Sequence, residues 1–200
     1  MSTILCIDTA SDAFALAVDR AGTVTSVEVA AGHDHSRLLL PAIGELLGGD
    51  RPEAILVVIG PGAYAGIRVG IATAEGLSIA LGQPIYSIGT LEAAALAAGL
   101  SQATVIHPAG RGEFAVQEFR SGVATASPAL AGPEALAGQR LAGEGAGELG
   151  GRDVGPRERC EAALRDRAPK IRAGALAPGA EAFYLREPNI TLSRRKQAAS

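Results

Sequence analysis

Residues 55–81 constrain the fold of this chain more than any other stretch. Ile55–Ile59 is a continuous, largely β-branched apolar run, which is typical of a strand buried on both faces of a sheet. A glycine-rich turn follows, and Ile67–Leu81 then continues without proline. The order of strand, tight turn and helix predicts an α/β protein with this strand near its centre.

The glycine-rich turn has two interpretations. Closely spaced glycines expose backbone amides at a helix start, where a phosphate could bind. The spacing is G-x-G-x-x-x-G, however, which matches neither the phosphate loop nor the dinucleotide fingerprint. The pattern therefore favours a structural turn, and ligand binding stays open as the second interpretation. The turn comprises Gly60, Pro61, Gly62, Gly66 and Arg68. We expect Arg68 to form a salt bridge within the fold or across an interface.

The remaining pattern predicts two consecutive units. In the first we expect strands at 3–8, 13–20, 23–30, 55–59 and 85–88 and helices at 37–47, 67–81 and 90–98. This order is that of a ribonuclease-H-like unit. The second half looks like a truncated repeat, with strands at 104–106, 113–120, 123–127 and 140–142 and a helix at 157–166. We therefore predict domains at 1–100 and 101–190 and a polar, mobile tail at 191–200.

Charge and cysteine usage narrow the classes of function. The first hundred residues hold 4 basic and 10 acidic side chains, which argues against direct nucleic-acid binding by that half. Cys6 and Cys160 lie far apart in the sequence and predict neither a disulfide framework nor a metal site. The sequence shows no secretory leader and no apolar run of membrane-spanning length, so we expect a cytoplasmic protein.

Four segments carry a resemblance to a known family. They are Ile4–Thr9, His35–Pro41, Gly60–Leu77 and Tyr184-Leu185-Arg186-Glu187-Pro188. In order and spacing they resemble the bacterial TsaB (YeaZ) family of the glycoprotease-like ASKHA superfamily. The resemblance implies a two-lobed, actin-like α/β fold of ribonuclease-H-like units with a reduced second lobe.

The same resemblance implies a function. Such a protein is a non-catalytic partner in the transfer of a threonylcarbamoyl group to the adenosine next to the tRNA anticodon. It pairs with a TsaD-like subunit, works with a TsaE-like ATPase, meets tRNA only through the complex, and can form a homodimer when alone. No catalytic residue, cofactor, metal or membrane contact is expected. The alternative is an enzyme of the same superfamily, either an ATP-dependent phosphotransferase or a glycoprotease-like metallopeptidase.

The sequence departs from the family pattern at several positions. Ala63 and Ala65 stand where the family has Ser and Thr, and Glu75 stands where it has Lys. Pro108-Ala109-Gly110-Arg111 replaces an Asp-Ala-Arg-Arg element. In actin-like ATPases a carboxylate at the position of Asp8 orients a metal and phosphates, but the glycine that follows there is Ala10 here. We therefore expect Asp8 to cap its own turn.

The histidines offer weak metal candidates. His33 and His35 flank Asp34, whereas a metal-binding relative would place two histidines as H-x-x-x-H on one helical face. We interpret them as a polar approach to a helix. His107 stands alone beside Pro108, and we expect it at a strand end or on the surface.

The two long helices of the first half indicate a partner surface. Each carries more apolar or small surface than packing on one sheet requires. Ala72, Gly76 and Ala80 form a row at i, i+4 and i+8 that would let a partner helix approach closely, and we expect Leu39 and Ile43 on the facing rim. The same surface could serve a homodimer.

Overall fold

The computed structural model describes residues 2–185 of the 200-residue chain. A first sheet has the order β3-β2-β1-β4-β5. Its strands are β1 (Thr3–Asp8), β2 (Ala13–Arg20), β3 (Thr23–Ala30), β4 (Ala54–Val58) and β5 (Ile85–Ile88). The first three are antiparallel, and β4 and β5 run parallel to β1, as predicted. Every residue of β1 and β4 is buried, which explains the unbroken apolar sequence of β4 and of Ile4–Ile7 within β1.

Three helices alternate with the later strands of this sheet. They are α1 (His35–Leu47), α2 (Tyr64–Leu81) and α3 (Thr90–Ala98), and each ends at a glycine in the left-handed conformation. Pro41 lies inside α1 without ending it. A fourth helix, α4 (Pro156–Arg172), extends six residues beyond the helix predicted from the sequence. Across residues 2–185, none of these helices combines the length and hydrophobicity needed to cross a membrane.

The second sheet repeats the strand order of the first. It reads β11-β10-β6-β7-β8, with the antiparallel strand β9 also paired to β7. Its strands are β6 (Gln102–Pro108), β7 (Phe114–Arg120), β8 (Val123–Ala124), β9 (Ala129–Ala131), β10 (Leu141–Gly143) and β11 (Arg152–Asp153). Strands β10 and β11 run parallel to β6. The chain thus forms two ribonuclease-H-like units, as the sequence predicts.

The second unit is the smaller of the two. Where the first unit has α1 and α2, the second has only two short 3-10 segments, Pro133–Leu136 and Gly147–Leu149. The glycine- and alanine-rich stretch 132–155 lacks the regular apolar spacing that would support a helix, which explains this reduction. The structure is therefore a two-lobed, actin-like α/β fold with a reduced second lobe.

The last helix of each unit packs on the sheet of the other. From α3, Leu91, Ala94 and Ala98 join the core of the second sheet, together with Val105 and Phe119. From α4, buried residues join the core of the first sheet: Cys160, Ala163, Leu164 and Ala168. The two helices also contact each other, so they form a central layer between the sheets. Their many alanines allow this close approach.

Two sequence predictions concern the ends of the chain. The predicted tail 191–200 lies outside the described residues, as do Arg186, Glu187 and Pro188 of the resemblance. The division into domains at residue 100 stays a prediction. Each predicted domain contributes a helix to the core of the other, α3 to the second sheet and α4 to the first.

Candidate functional site

The glycine-rich turn packs tightly against the end of β1. A Cβ added at Gly62 would lie 2.5 Å from the Ala10 carbonyl oxygen, and one at Gly66 would lie 2.1 Å from the Thr9 carbonyl oxygen. Gly60 has a φ of 109° and precedes a cis peptide bond to Pro61. Gly62 and Gly66 therefore allow the turn to approach the backbone after β1 closely, and Gly62 also lies against the His107 ring of the second lobe. This close packing is consistent with a structural turn.

Arg68 does not form the expected salt bridge with any residue in the described range. Its Nη1 donates a hydrogen bond to the Tyr64 hydroxyl at 2.7 Å, and its guanidinium lies 5.5 Å from the centre of that ring. Tyr64 in turn contacts Tyr184, with 5.0 Å between ring centres. Arg68 therefore packs on a pair of tyrosines. The sequence-based prediction considered only charged partners for it.

Asp8 lies at the centre of a buried polar network. Its Oδ1 accepts a hydrogen bond from the Ala10 amide at 2.9 Å, which confirms the predicted role in capping the turn. Its Oδ2 accepts a hydrogen bond from Nε of Arg159 at 2.7 Å. Both side chains are completely buried. A guanidinium from α4 thus occupies the position facing this carboxylate.

The other nitrogens of Arg159 also donate hydrogen bonds within this network. Its Nη1 donates to Glu144 at 2.8 Å and its Nη2 donates to the Ser11 hydroxyl at 2.7 Å. Burial acts to lower the pKa of Arg159, but the charges and hydrogen bonds of Asp8 and Glu144 raise it above its usual value. Arg159 is therefore permanently charged and ties both lobes together.

Sequence reasoning missed Arg159, although a signal was present. In α4 the apolar face carries Cys160, Ala163 and Leu164, and Arg159 lies one helical turn before Ala163 on that face. A charged residue on an otherwise buried face requires a partner of opposite charge. That partner, Asp8, is 151 residues away in the sequence, so only the fold identifies it.

His107 lies at the strand end, as one of the two predicted alternatives had it, but it is buried rather than on the surface. Its Nε2 donates to the Ala10 carbonyl oxygen at 3.1 Å. Its Nδ1 lies 3.6 Å from Oε2 of Glu144 and has no hydrogen-bond partner among residues 2–185. Burial lowers the pKa of His107 to about 4, and the charge of Arg159 acts in the same direction. The imidazole is therefore neutral near pH 7.

The other two histidines lie at the start of α1. His33 is exposed, whereas His35 is buried and lies within hydrogen-bond distance of the carbonyl oxygens of Gly32 and Ser11. Residues 2–185 contain no group of three or more His, Cys, Asp or Glu side chains suited to holding a metal ion.

A cleft of about 450 Å³ opens beside the buried network, between the lobes. We call it the interlobe cleft. The first lobe contributes residues from the end of β1 and from the glycine-rich turn, and the second contributes residues from the ends of β6 and β10. Its polar wall is formed by Ser11, Asp12, His107 and Glu144.

The predicted partner surface is only partly as expected. Ala72, Gly76 and Ala80 are exposed along α2, as predicted. Leu39 and Ile43 are not on a rim, because they are 1% and 2% exposed and belong to the core of the first sheet. The prediction for these two residues was wrong because two apolar stripes on α1 look alike in sequence, and only packing shows which one faces the sheet.

A groove lies between the exposed faces of α1 and α2. Its lining residues are Ser36, Leu40, Val69, Ala72, Thr73, Gly76 and Leu77. We call it the helix groove. Leu40, which is 54% exposed, takes the place predicted for Leu39. Ile79 is 85% exposed on the same helix as Gly76. A Cβ added at Gly76 would meet no atom within 4 Å, so the groove is open there.

Two sheets with the same strand order, exchanged helices and a cleft between lobes define an actin-like protein. Residues 27–148 match the family model described as TsaD: tRNA N6-adenosine threonylcarbamoyltransferase. The chain is 34% identical over 101 residues to the tRNA threonylcarbamoyladenosine biosynthesis protein TsaB of Haemophilus influenzae, covering 48% of this chain and 43% of that one. It is 31% identical over 93 residues to TsaB of Escherichia coli, covering 44% and 40%.

Solved structures extend the similarity over nearly the whole fold. YeaZ from Pseudomonas aeruginosa is 25% identical with a TM-score of 0.73, covering 88% of this chain and 94% of that chain. A protein described as similar to peptidase YEAZ, from the same organism, is 25% identical with a TM-score of 0.78, covering 93% and 100%. The chain belongs to the TsaD and TsaB proteins of the glycoprotease-like group, and within them to the TsaB (YeaZ) family. In sequence it spans less than half the length of the two TsaB relatives.

Proposed function

We propose that this protein is a non-catalytic subunit of the complex that makes threonylcarbamoyladenosine in tRNA. The relatives it matches are named as proteins of that biosynthesis. The observation that carries the non-catalytic role is the Asp8–Arg159 ion pair, which is completely buried. A carboxylate that oriented a metal and phosphates would have to be reachable from the cleft.

Both oxygens of Asp8 are already engaged, one by a backbone amide and the other by a guanidinium. Releasing the carboxylate would break a completely buried ion pair and leave Arg159 with Glu144 alone as its charged partner among residues 2–185, which is strongly unfavourable. The glycine-rich turn is also unsuited to binding phosphate. Neighbouring backbone atoms occupy the space beside its glycines, and no lysine or arginine among residues 2–185 lines the cleft. These features support a subunit that does not itself turn over ATP.

The helix groove is the surface proposed to bind the TsaD-like partner. It combines the exposed apolar side chain of Leu40 with the small residues Ala72 and Gly76, and small residues permit helices to pack closely. Exposed apolar surface of this kind on a folded protein is typical of an interaction site. In the absence of the partner, the same groove would pair two copies of this chain. The TsaE-like ATPase and tRNA join through the assembled complex.

Reconstitution tests the function. Purified TsaD, TsaE and a source of threonylcarbamoyl-adenylate are incubated with tRNA, with and without this protein, and modified adenosine is measured by mass spectrometry. We expect modification only in the complete mixture, and no ATP hydrolysis or peptide cleavage by this chain alone. Equal modification without the protein would refute the role in the complex. ATPase activity of the lone chain that Asp8→Asn abolishes would refute the non-catalytic assignment.

A substitution at Gly76 tests the groove. Gly76→Leu fills open space and improves helix propensity, so the melting temperature of the isolated chain should not fall, whereas binding to TsaD should weaken because overpacking an interface costs about 1–3 kcal/mol. Gly76→Ala is the matched control, since it makes the same gain in helix propensity with little added volume. Unchanged TsaD binding by Gly76→Leu would exclude this groove from the interface.

A further inference from the structure

The second sheet is only partly covered on the face that points away from α3. The first sheet has α1 and α2 in the corresponding place, whereas the second has two short 3-10 segments. Leu136 and Ala146, in and beside these segments, pack on Ile106 and Leu141. This cover lies over the middle of the sheet and leaves the beginning of β6 and the end of β7 open.

The strand register decides which side chains face the open part. It pairs Gln102 with Arg120 and Thr104 with Glu118. Residues directly opposite each other point to the same side of a sheet, so these four side chains share the face of Ile106. The intervening residues of both strands join the core beneath α3. The uncovered end of the sheet therefore presents polar and charged groups.

These groups line a groove of about 540 Å³, which we call the sheet groove. Its other walls come from the residue after β8 and from the two residues before β10. The exposed side chains that line it include Ser101, Gln102, Glu118, Arg120, Thr125 and Arg140. The groove lies at the start of β6, whereas the interlobe cleft lies at the end of that strand. The two sites are thus at opposite ends of the second sheet.

The arginines of the sheet groove differ from the other basic side chains. Among the arginines and lysines of residues 2–185, only Arg111, Arg120 and Arg140 form no side-chain hydrogen bond or ion pair. Two of these three line the sheet groove. A guanidinium group presents its N–H donors in a planar fork that fits the oxygens of a phosphate. Two such groups without partners in one groove favour a phosphate ligand.

The lining also indicates the kind of phosphate. Two guanidinium groups and the carboxylate of Glu118 leave one net positive charge, which suits singly charged phosphodiesters better than a triphosphate. The aromatic residue in the lining, Phe119, is 3% exposed and belongs to the core beneath α3, so it offers no ring on which a base could stack. The ligand is therefore held through its backbone.

We propose that the sheet groove binds the phosphodiester backbone of RNA. Arg120 and Arg140 each contact a phosphate, and Ser101 and Gln102 donate hydrogen bonds to phosphate or ribose oxygens. Contacts of this kind position an RNA without reading its sequence. The inference rests on the proposed function only for the identity of the RNA, which is then the tRNA bound by the complex. It agrees with the acidic composition of the first half, because the groove belongs wholly to the second.

The test measures the fluorescence anisotropy of a labelled tRNA transcript over a range of salt concentrations. The transcript is titrated with the full chain alone and with the full chain mixed with TsaD. We expect the chain alone to bind with a Kd on the order of 10–100 µM, and the mixture to bind more tightly. Both affinities should fall as the salt concentration rises, because each phosphate contact releases counterions.

A double variant removes the two proposed contacts. Arg120→Gln with Arg140→Gln should weaken tRNA binding about tenfold at low salt, and the slope of log Kd against log salt concentration should fall by about two, one for each contact. Arg111→Gln removes the third unpaired arginine, which lies outside the groove, and is the matched control. It should bind as the unmodified chain does. All three positions are exposed, so melting temperatures should not change.

A variant of the carboxylate should act in the opposite direction. Glu118→Gln removes the negative charge from the groove and should strengthen tRNA binding by about twofold to threefold at low salt. Glu148→Gln, an exposed carboxylate outside the groove, is its control and should leave binding unchanged. Weaker binding by Glu118→Gln would contradict the assignment of the groove to an anion.

Magnesium ATP and phosphatidylserine vesicles test the other sources of phosphate. The proposal is overturned if the unmodified chain binds no tRNA either alone or with TsaD, or if the double variant and Arg111→Gln bind tRNA equally. It is also overturned if the double variant loses binding to ATP or vesicles but not to tRNA.

Reconstitution of the modification reaction separates this inference from the proposed function. If modification requires this protein and the double variant binds tRNA normally, the groove is excluded and the proposed function stands. If modification proceeds without this protein and the double variant still loses RNA binding, the proposed function fails and the groove stands.

Discussion

The inner helices α3 and α4 and the outer helices α1 and α2 bury their surfaces in different ways. The inner pair lies between the sheets, each helix packed on the sheet of the other unit, and α4 carries a charge that is fully paired. The outer pair covers one face of the first sheet and leaves Leu40, Ile79 and Gly76 exposed. The inner helices therefore join the two lobes, while the outer helices leave apolar and small residues exposed.

The largest effect should come from removing α4. A fragment of residues 1–100 lacks Cys160, Ala163 and Leu164, which complete the core of the first sheet. We expect it to show no cooperative thermal transition by circular dichroism. Co-expression with the fragment 101–200 is the control and should restore folding. A fragment 1–100 that melts like the full chain would show that the first domain is independent after all.

Arg159→Ala removes a single buried ion pair between α4 and the first sheet. It leaves Asp8 as an unpaired charge at a completely buried position, so the free energy of unfolding should fall by about 3–5 kcal/mol in urea titrations. Arg157→Ala, on the same helix, removes an exposed ion pair with Glu161 and should cost less than about 1 kcal/mol. Equal losses in the two variants would contradict the role assigned to the buried pair.

His107 should make the inner region sensitive to acid. Its pKa is lowered to about 4 in the folded chain, so the unfolded chain gains a proton first as the pH falls below about 6.5. Stability should therefore decrease between pH 6.5 and pH 4, by roughly 3 kcal/mol from this group. His107→Gln should lose that part of the pH dependence, and His33→Gln should retain it. Parallel stability curves for the unmodified chain and His107→Gln would rule out this contribution.

The smallest effect concerns the start of α2. Ala63 occupies the N-cap position and provides no side-chain hydrogen bond to the first turn. Ala63→Ser supplies a hydroxyl acceptor and should raise the free energy of unfolding by about 0.5–1 kcal/mol. Ala65→Ser places the same hydroxyl inside the first turn and should give no gain. If both serines stabilise the chain equally, capping is not the reason.

Much of the fold was predictable because it depends on local patterns. The apolar run near Ile55, the glycine stops after α1, α2 and α3, and the repeated order of strands follow from periodicity and backbone preferences. The site was less predictable. Cys160 and Cys6 appeared unrelated in sequence, yet both are buried in the core of the first sheet. Burial raises the pKa of the Cys160 thiol, which donates a hydrogen bond to the Ala15 carbonyl oxygen at 3.4 Å.

The sequence by itself determined the class of fold, the turn after the central strand and the exposed row of Ala72, Gly76 and Ala80, because each rests on the spacing of neighbouring residues. Only the tertiary structure decided that Leu40 rather than Leu39 lines the helix groove, that Arg159 neutralises Asp8, and that His107 is buried. The physical reason is that burial and charge pairing depend on groups brought together from opposite halves of the chain, and α4 joins those halves.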